Sequence, residues 1–422
     1  MNHKPSPLFP EMAAPDTPHA CNDHLTFRAN LERGRHGWLR LTPAYSVQLV
    51  EELVTQCGKE DVVLDPFCGT GTTALVCAQA GIPCHTVDIN PFLVWLTNAK
   101  CALYTPDEIE TAQAALTHAL ATLDGTSHPR AWTPPIKDID KWWEPEILAL
   151  LAQLFDQIKS AALPEPSHNL LRIIFCRAQI ELAAVSFGHQ SMSFKQHRAL
   201  PTLFEMSADE RLRAIFHRIA AEVLRSAGEP VAASSTQAFL GDSRQLARIL
   251  PPGRYTTVIT SPPYPNRMSY IRELRPYMYW LGYLASGSQA GEMDWQAIGG
   301  TWGSATSNLM RWIPDSSFAV PDNAFQEVVE QIAQRSKVLS LYVAKYFQDT
   351  VQHIRSLKTA LAPGAQVYYV VGNSRFYDVL LHTEQFYAAI FEHEGFHDVN
   401  VRAIRKRTSK KELFEHLVSA RA

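Results

Sequence analysis

The chain has 422 residues, 46% hydrophobic and 19% charged, which is enough apolar material for one large domain with insertions or for two to three domains. No apolar run reaches the roughly 18 residues of a membrane span, and residues 1–20 lack a charged-then-apolar leader, so the sequence predicts a cytoplasmic protein with no membrane partner. A formal charge of −3 neither demands nor forbids nucleic acid, and seven cysteines with no CxxC pair or Cys/His array argue against a metal site.

Residues 1–34 are rich in proline and polar residues and read as an N-terminal arm. "TPAYSVQLVEELVTQC" then shows helical spacing, with Thr42 as the expected N-cap and Pro43 at the first helical position. "DVVLDPFCGTGTTALVCAQAG" gives a short strand, a glycine turn and a helix from near Thr72 to Gly81, and "IPCHTVDINPF" offers a second strand ending at Asp88. This β-turn-α-β unit opens an α/β, doubly wound, Rossmann-like parallel sheet. Residues 101–235 are dominated by helical patterns such as "EPEILALLAQLFDQIKSAAL" and read as a helical insertion. Strands resume at "AFLGD", "YTTVITSPPY" and "AQVYYVVGNS". Residues 265–349, with "AIGGTWGSATSNLMRW", form a variable region that fits neither period. The catalytic domain is thus expected over 35–100, 236–264 and 350–422. Near its end, "VRAIRKRTSKK" gathers Arg402, Arg405, Lys406, Arg407, Lys410 and Lys411, which reads first as a solvated face.

In "LDPFCGTGTT" the first strand delivers Asp65 into a turn whose Gly69 and Gly71 permit positive φ and close backbone approach to a ligand. No Gly-Lys-Ser/Thr ends it and no third glycine follows, so it is neither a P-loop nor a dinucleotide fingerprint. Asp88, at the end of the next strand, is where a carboxylate accepts both hydroxyls of a ribose, and the pair suggests an adenosine cofactor. In "TSPPYPNR" two prolines end the strand in a stiff extended loop that holds Ser261 and Tyr264 in fixed positions.

"DPFCGTGTT" resembles the cofactor loop of S-adenosylmethionine-dependent DNA amino-methyltransferases, and "TSPPY" resembles their catalytic loop. "HGWLRLTPAYSVQLVEELV" is similar to the helix that precedes the glycine loop there, and "FLGDSR" to a third cofactor segment. The likeness covers roughly residues 36–98, 236–272 and, more loosely, 350–418. It implies S-adenosylmethionine as cofactor, a Rossmann-like methyltransferase sheet, and double-stranded DNA as partner, with a cognate restriction endonuclease as a further partner. It places Thr42, Asp65, Phe67, Gly69 and Gly71 around the cofactor, Thr72 and Thr73 near its carboxylate, Asp88 on the ribose, Ile89 on the adenine face, and Asp242 with Ser243 at the adenine amine.

In the catalytic loop it implies that the Ser261 hydroxyl and the Pro262 carbonyl accept the two amine hydrogens of a flipped base. Pro263 stiffens the loop and Tyr264 stacks on the base. Serine in the first position is more typical of cytosine N4 methylation, with adenine N6 the alternative; related loops for RNA or protein glutamine usually begin with asparagine. A recognition subunit without catalysis is opposed by the intact Ser261, Tyr264, Gly69, Gly71 and Asp88. Cytosine C5 chemistry needs a cysteine nucleophile, and Cys84, after Pro83, opens a strand and reads as a core thiol. Asn266 and Arg267 adjoin the loop and are the first candidates for contacting DNA. Arg172, Arg177, Gln179, His189, Gln190, Lys195 and His197 of the insertion, and Arg272 and Arg275 beyond the loop, compete for base readout.

Overall fold

The computed structural model describes residues 27–41, 44–124, 132–186, 193–194, 206–232, 235–301, 304–315, 318–407 and 412–422. Seven segments join into one sheet: β1 (Val63–Asp65), β2 (Cys84–Asp88), β3 (Gln237–Leu240), β4 (Tyr255–Thr260), β5 (Leu361–Gly372), β6 (His397–Lys406) and β7 (Phe414–Arg421), in the order β6-β7-β5-β4-β1-β2-β3. Strands β1 to β5 pair in parallel, with Val63 beside Cys84 and Leu64 beside Val258, while β7 runs antiparallel to both β5 and β6. The expected Rossmann-like methyltransferase sheet is present, and the antiparallel hairpin at its edge is a feature the strand pattern left unassigned. The central strands β1, β2 and β4 are buried along nearly their whole length, as expected where both faces of a parallel sheet are covered.

Order reverses at β1, so the carboxyl ends of β1 and β4 diverge around a crevice, the usual place for a ligand in such a sheet. Around it lie α1 (Val47–Val54), α2 (Thr72–Ala80) and α3 (Pro91–Cys101). Helix α2 begins and ends as its sequence indicates, with left-handed glycines at both flanks: Gly71 at φ +77° and Gly81 at φ +72°. Helix α1 starts at Val47, not after Thr42. Its first N–H is taken by the Asn30 side chain at 2.9 Å, and Ala44 and Tyr45 stay out of the helix to wall the crevice. Thr42 and Pro43 themselves lie outside the described residues.

Within 101–235 lie α4 (Pro106–Ala121), α5 (Pro145–Ser160), α6 (Glu165–Glu181) and α7 (Ala208–Ala227). This segment is not a separate body. Helix α8 (Tyr270–Trp280), from the region beyond the catalytic loop, buries Trp280 completely among Trp143, Phe155 and Phe175, at ring separations of 5.8, 5.4 and 5.0 Å. Arg35 stitches the N-terminal segment to the same block: its buried guanidinium donates to the carbonyls of Lys100, Ala102, Ser226, Ala227 and Glu229. A buried arginine with its donors spread over five carbonyls needs no counter-charge to be satisfied. The rest of the post-loop region is also helical: α9 (Gly287–Gln296), a short turn at Ser304–Leu309, α10 (Asn323–Ala333) and α11 (Lys337–Ala360), followed after β5 by α12 (Thr383–His393). Among the described residues no helix is long and apolar enough to cross a membrane.

Candidate active site

Four segments that follow adjacent strands meet at the crevice. Phe67 and Gly69 after β1, Asp88 and Ile89 at and after β2, Asp242 and Ser243 after β3, and Ser261 and Pro263 after β4 line one cavity, with Thr72 at the start of α2. Asp65 does not reach it. Its fully buried carboxylate accepts from the Thr260 hydroxyl at 2.5 Å and the Phe67 N–H at 3.0 Å, which ties the β4 end to the glycine loop. Burial pushes its pKa up to about 6 against those two bonds. Gly71 and Thr73 also stand behind the wall. A side chain at position 71 would meet Thr97 Oγ1 at 2.5 Å, and the Thr73 hydroxyl donates to the Ile259 carbonyl at 3.2 Å while meeting the cavity-lining Tyr45 hydroxyl.

Asp88 is partly open to the cavity yet ringed by protein atoms. Its carboxylate accepts from Gly69 N–H at 2.9 Å and Asn90 N–H at 2.8 Å, and desolvation outweighs both, pushing its pKa up to about 7. Behind the glycine loop, the buried Lys100 ammonium donates to the carbonyls of Thr70 and His36 at 3.0 and 3.2 Å, and burial lowers its pKa to about 8. The loop is therefore fixed from both sides, by a carboxylate in front and an ammonium behind.

Asp242 caps the turn after β3, with its carboxylate accepting from Arg244 N–H at 2.9 Å and gripped by the Arg244 guanidinium at 2.7 to 3.0 Å. Burial alone would raise its pKa, but Arg244 overrides this and holds it below the usual carboxylate range. Arg244 also reaches Asp349 at 2.9 Å and the Gln296 carbonyl at 2.7 Å, so the third segment is pinned to α11 and α9. His353 adds a second support. Buried and held neutral, with its pKa lowered by desolvation to about 4, it donates Nδ1–H to the Ser243 carbonyl at 3.1 Å and accepts from the Tyr369 hydroxyl at 2.6 Å. Its ring lies edge-on to Phe67 at 4.6 Å. The "FLGDSR" segment carries Arg244, but neither its reach to Asp349, 105 positions away, nor the His353 bond to Ser243, 110 positions away, is announced by a motif.

In the SPPY loop, the Ser261 hydroxyl donates to the Val370 carbonyl at 3.1 Å, with the Tyr264 hydroxyl 3.4 Å away. With its proton spent on β5, the oxygen keeps its lone pairs for another donor. The Pro263 carbonyl accepts from Tyr346 at 2.8 Å, and the Tyr264 N–H donates to the Tyr270 hydroxyl at 3.3 Å, so the loop is clamped by side chains from α11 and α8. Pro262 and Tyr264 are buried and do not line the cavity. Tyr264 is only 9% exposed: the Gly372 backbone lies against one edge of its ring, and the Arg407 guanidinium sits over the ring, 5.0 Å from the centroid. The sequence presents that tyrosine as a free stacking surface; in the structure it is covered.

The opposite wall comes from the region beyond the loop, in Tyr270, Ile271, Asp294, Gln296, Ala297, Ile298 and Gly300. Asp294 is buried and accepts from the Ser269 hydroxyl at 2.5 Å. This wall was not foreseen, since "AIGGTW" has no regular period; its tightness shows at Gly300, where a Cβ would fall 1.6 Å from the Asp294 carbonyl oxygen. Arg267 is exposed and holds φ +63°, a sparsely populated conformation for a residue with a side chain, while Asn266 turns its amide oxygen back to Met268 N–H at 3.0 Å. Of the other readout candidates, Arg177 pairs with Glu222, Arg172 with Glu165 at 3.1 Å, and Arg275 lies over Trp142 at 5.0 Å. Gln179 is wholly buried in the helical block and cannot reach DNA there. His189, Gln190, Lys195 and His197 lie outside the described residues.

The cavity suits an adenosyl cofactor on its own chemistry. It offers glycine-loop backbone, a carboxylate at the end of β2, apolar faces from Phe67, Ile89 and Leu93, and further carboxylates at Asp242 and Asp294 that complement a cationic group. Residues 29–98 match the family model described as DNA methylase. Over 69 residues the chain is 38% identical to the Type II methyltransferase M.BsoBI of Geobacillus stearothermophilus, a stretch that is 16% of this chain and spans only 14% of that protein's length. It is 20% identical over 397 residues to the Type II methyltransferase M.MvaI of Kocuria varians, covering 89% of this chain and 85% of that one. The solved rRNA methyltransferase aviRa of Streptomyces viridochromogenes is 13% identical, covering 93% of this chain and 92% of that one, with a TM-score of 0.27. The matched stretch 29–98 contains the glycine loop and Asp88, and the methyl donor this likeness implies is S-adenosylmethionine; beyond that stretch the likeness to Type II methyltransferases is the 20% match.

Proposed function

We propose that this protein is a site-specific DNA methyltransferase that methylates the exocyclic N4 amine of a flipped cytosine in double-stranded DNA. The observation that carries the reading is the shared cavity: Ser261 and Pro263 of the SPPY loop face the same space as Gly69, Asp88 and Asp242. S-adenosylmethionine, when bound, supplies a methyl group made electrophilic by its sulfonium. The chain's own task is to present an amine whose lone pair is otherwise delocalised into the base ring.

Ser261 suits that task because its proton is already donated to Val370, leaving an oxygen that can only accept. An amine hydrogen given to Ser261 turns the nitrogen towards a pyramidal shape; a second, given to the Pro262 carbonyl, requires that buried residue to be uncovered as the base enters. The clamps from Tyr346 and Tyr270 keep the loop from relaxing, so the rate comes from positioning rather than from a covalent nucleophile. Extracting the base costs about a few kcal/mol, offset by stacking and edge bonds in the pocket. Asp88 and the glycine loop hold the ribose and methionine ends, with Asp242 and Ser243 at the adenine. Thr42, Asn266 and Arg267 complete the expected cofactor and DNA contacts. A cognate restriction endonuclease belongs to the same reading.

Cytosine is preferred over adenine on the serine that opens the loop. The deciding experiment incubates the protein with labelled S-adenosylmethionine and unmethylated duplex DNA, then resolves the nucleosides by mass spectrometry. N4-methylcytosine is expected; N6-methyladenine would transfer the assignment to adenine. Label on RNA or protein alone would overturn the DNA reading.

A further inference from the structure

The basic run 402–407 at the end of β6 has no part in the cofactor site, yet one of its members touches the catalytic loop. Arg407 spreads its guanidinium over the Tyr264 ring, 5.0 Å from the centroid. The approach is permitted by Gly372 at the end of β5, where a Cβ would lie 2.7 Å from both the Arg407 Nη1 and the Tyr264 ring edge. A backbone bond to the residue before β7 holds Arg407 in place, its N–H donating to the Leu413 carbonyl at 2.8 Å. Its side chain donates from Nη1 to the Asn373 carbonyl at 2.8 Å. Its neighbour Arg405 differs, being locked to Glu415 by two bonds at 2.7 and 2.9 Å.

We infer that the Arg407 side chain occupies the seat of the target base, stacking on Tyr264 in the absence of DNA and leaving that ring when a flipped base enters. This rests on the methyltransferase reading given above. A planar guanidinium over an aromatic face is a close substitute for a base, in shape and in its liking for the ring. It keeps a buried tyrosine face covered, which an empty seat would not. Among the described residues the hold is light: a hydrogen bond to the Asn373 carbonyl and a cation–π contact stand against the stacking of a whole base. On leaving, Arg407, just past the end of β6, is free to pair with a backbone phosphate of the DNA, which a guanidinium grips in a fork. Arg407 is thus a positioning residue that exchanges ring for phosphate.

The test uses 2′-deoxycytidine as the probe, with S-adenosylhomocysteine present, and reads binding by saturation-transfer NMR. Arg407→Ala should bind the nucleoside about tenfold more tightly than wild type, the worth of one cation–π contact removed from competition. Added methylguanidinium should reverse that gain, and Arg407→Met, which refills the seat, should bind as weakly as wild type. An unchanged cofactor affinity in Arg407→Ala verifies the fold. Equal nucleoside binding in wild type and Arg407→Ala, including none in either, or a gain that methylguanidinium leaves untouched, overturns the inference. The wild-type protein is assayed on duplex DNA in parallel: methylation there with no gain in the alanine variant sinks this inference alone, whereas no methylation of DNA sinks the reading beneath it.

Discussion

The backbone N–H of Gly69 donates to the Asp88 carboxylate at 2.9 Å, so the glycine loop and the acid at the end of β2 form one latched unit. A ribose would have to share that carboxylate with the loop. Hydroxyl donors bind the ionised form best, and burial pushes the Asp88 pKa up to about 7. Cofactor affinity should therefore rise as pH climbs through about 7 and level off above it, falling by up to about tenfold per unit on the acid side. Calorimetric titration at pH 6, 7 and 8, with proton release measured from buffer dependence, checks this. A flat profile would remove the Asp88 charge from recognition.

The same shift predicts the pH dependence of stability without cofactor. Asp88 and Asp65 both have folded pKa values above those of the unfolded chain, so the unfolded state binds fewer protons between about pH 4 and 7. Their contribution is complete below the unfolded values and is lost as pH rises through about 6 and 7. The cofactor-free protein should melt at a lower temperature at pH 8 than at pH 6, and Asp88→Asn should lessen the difference. A melting temperature that climbs over this interval would show that other groups outweigh the two acids.

Ser261→Ala removes the cavity-facing acceptor while leaving the prolines and both tyrosine clamps in place. We expect a loss of about 10²–10³ in kcat, the scale for one preorganised polar contact at a reacting group, with cofactor affinity unchanged within about twofold. Single-turnover kinetics with saturating DNA separates the two. Full turnover in the variant would take Ser261 out of the chemistry.

How much of this site is legible before folding depends on sequence distance. The unit from Asp65 to Asp88 is readable because each step is local: an apolar strand, glycines that take φ of +52° and +77° without the cost a side chain brings, and a helix closed by Gly81. The SPPY loop is readable because proline geometry is local too. What escapes is who meets whom. Arg244 reaching Asp349, His353 supporting Ser243, Asp294 lining the cavity, and Arg407 covering Tyr264 are contacts made by chain topology, and no spacing rule encodes them. The two regions that compete for DNA readout likewise look independent in sequence, although Trp280 joins them into one core.

Gly71→Ala tests the local part. Left-handed φ costs an alanine roughly 1–2 kcal/mol, and its Cβ would be driven to 2.5 Å from Thr97 Oγ1, adding about 1–3 kcal/mol of overpacking. Adding Thr97→Ala should recover the second share and leave the first. Denaturant melts of the single and double variants measure both, and a double variant no better than the single would show that Thr97 yields freely.

Trp280→Ala tests the non-local part. Deleting a fully buried tryptophan costs about 3–5 kcal/mol. The more informative consequence is its reach. Helix α8 carries Trp280 at one end and, at the other, Tyr270, whose hydroxyl accepts the Tyr264 N–H at 3.3 Å. A cavity opened around Trp143, Phe155 and Phe175 should therefore loosen the catalytic loop through a rigid element, lowering kcat while cofactor affinity, set at the far wall by Gly69 and Asp88, holds. Hydrogen exchange gives the decisive reading: amides of the insertion and of residues 264–281 should quicken together. If only the insertion responds, the helical block and the catalytic loop are uncoupled, and α8 is a spacer rather than a brace.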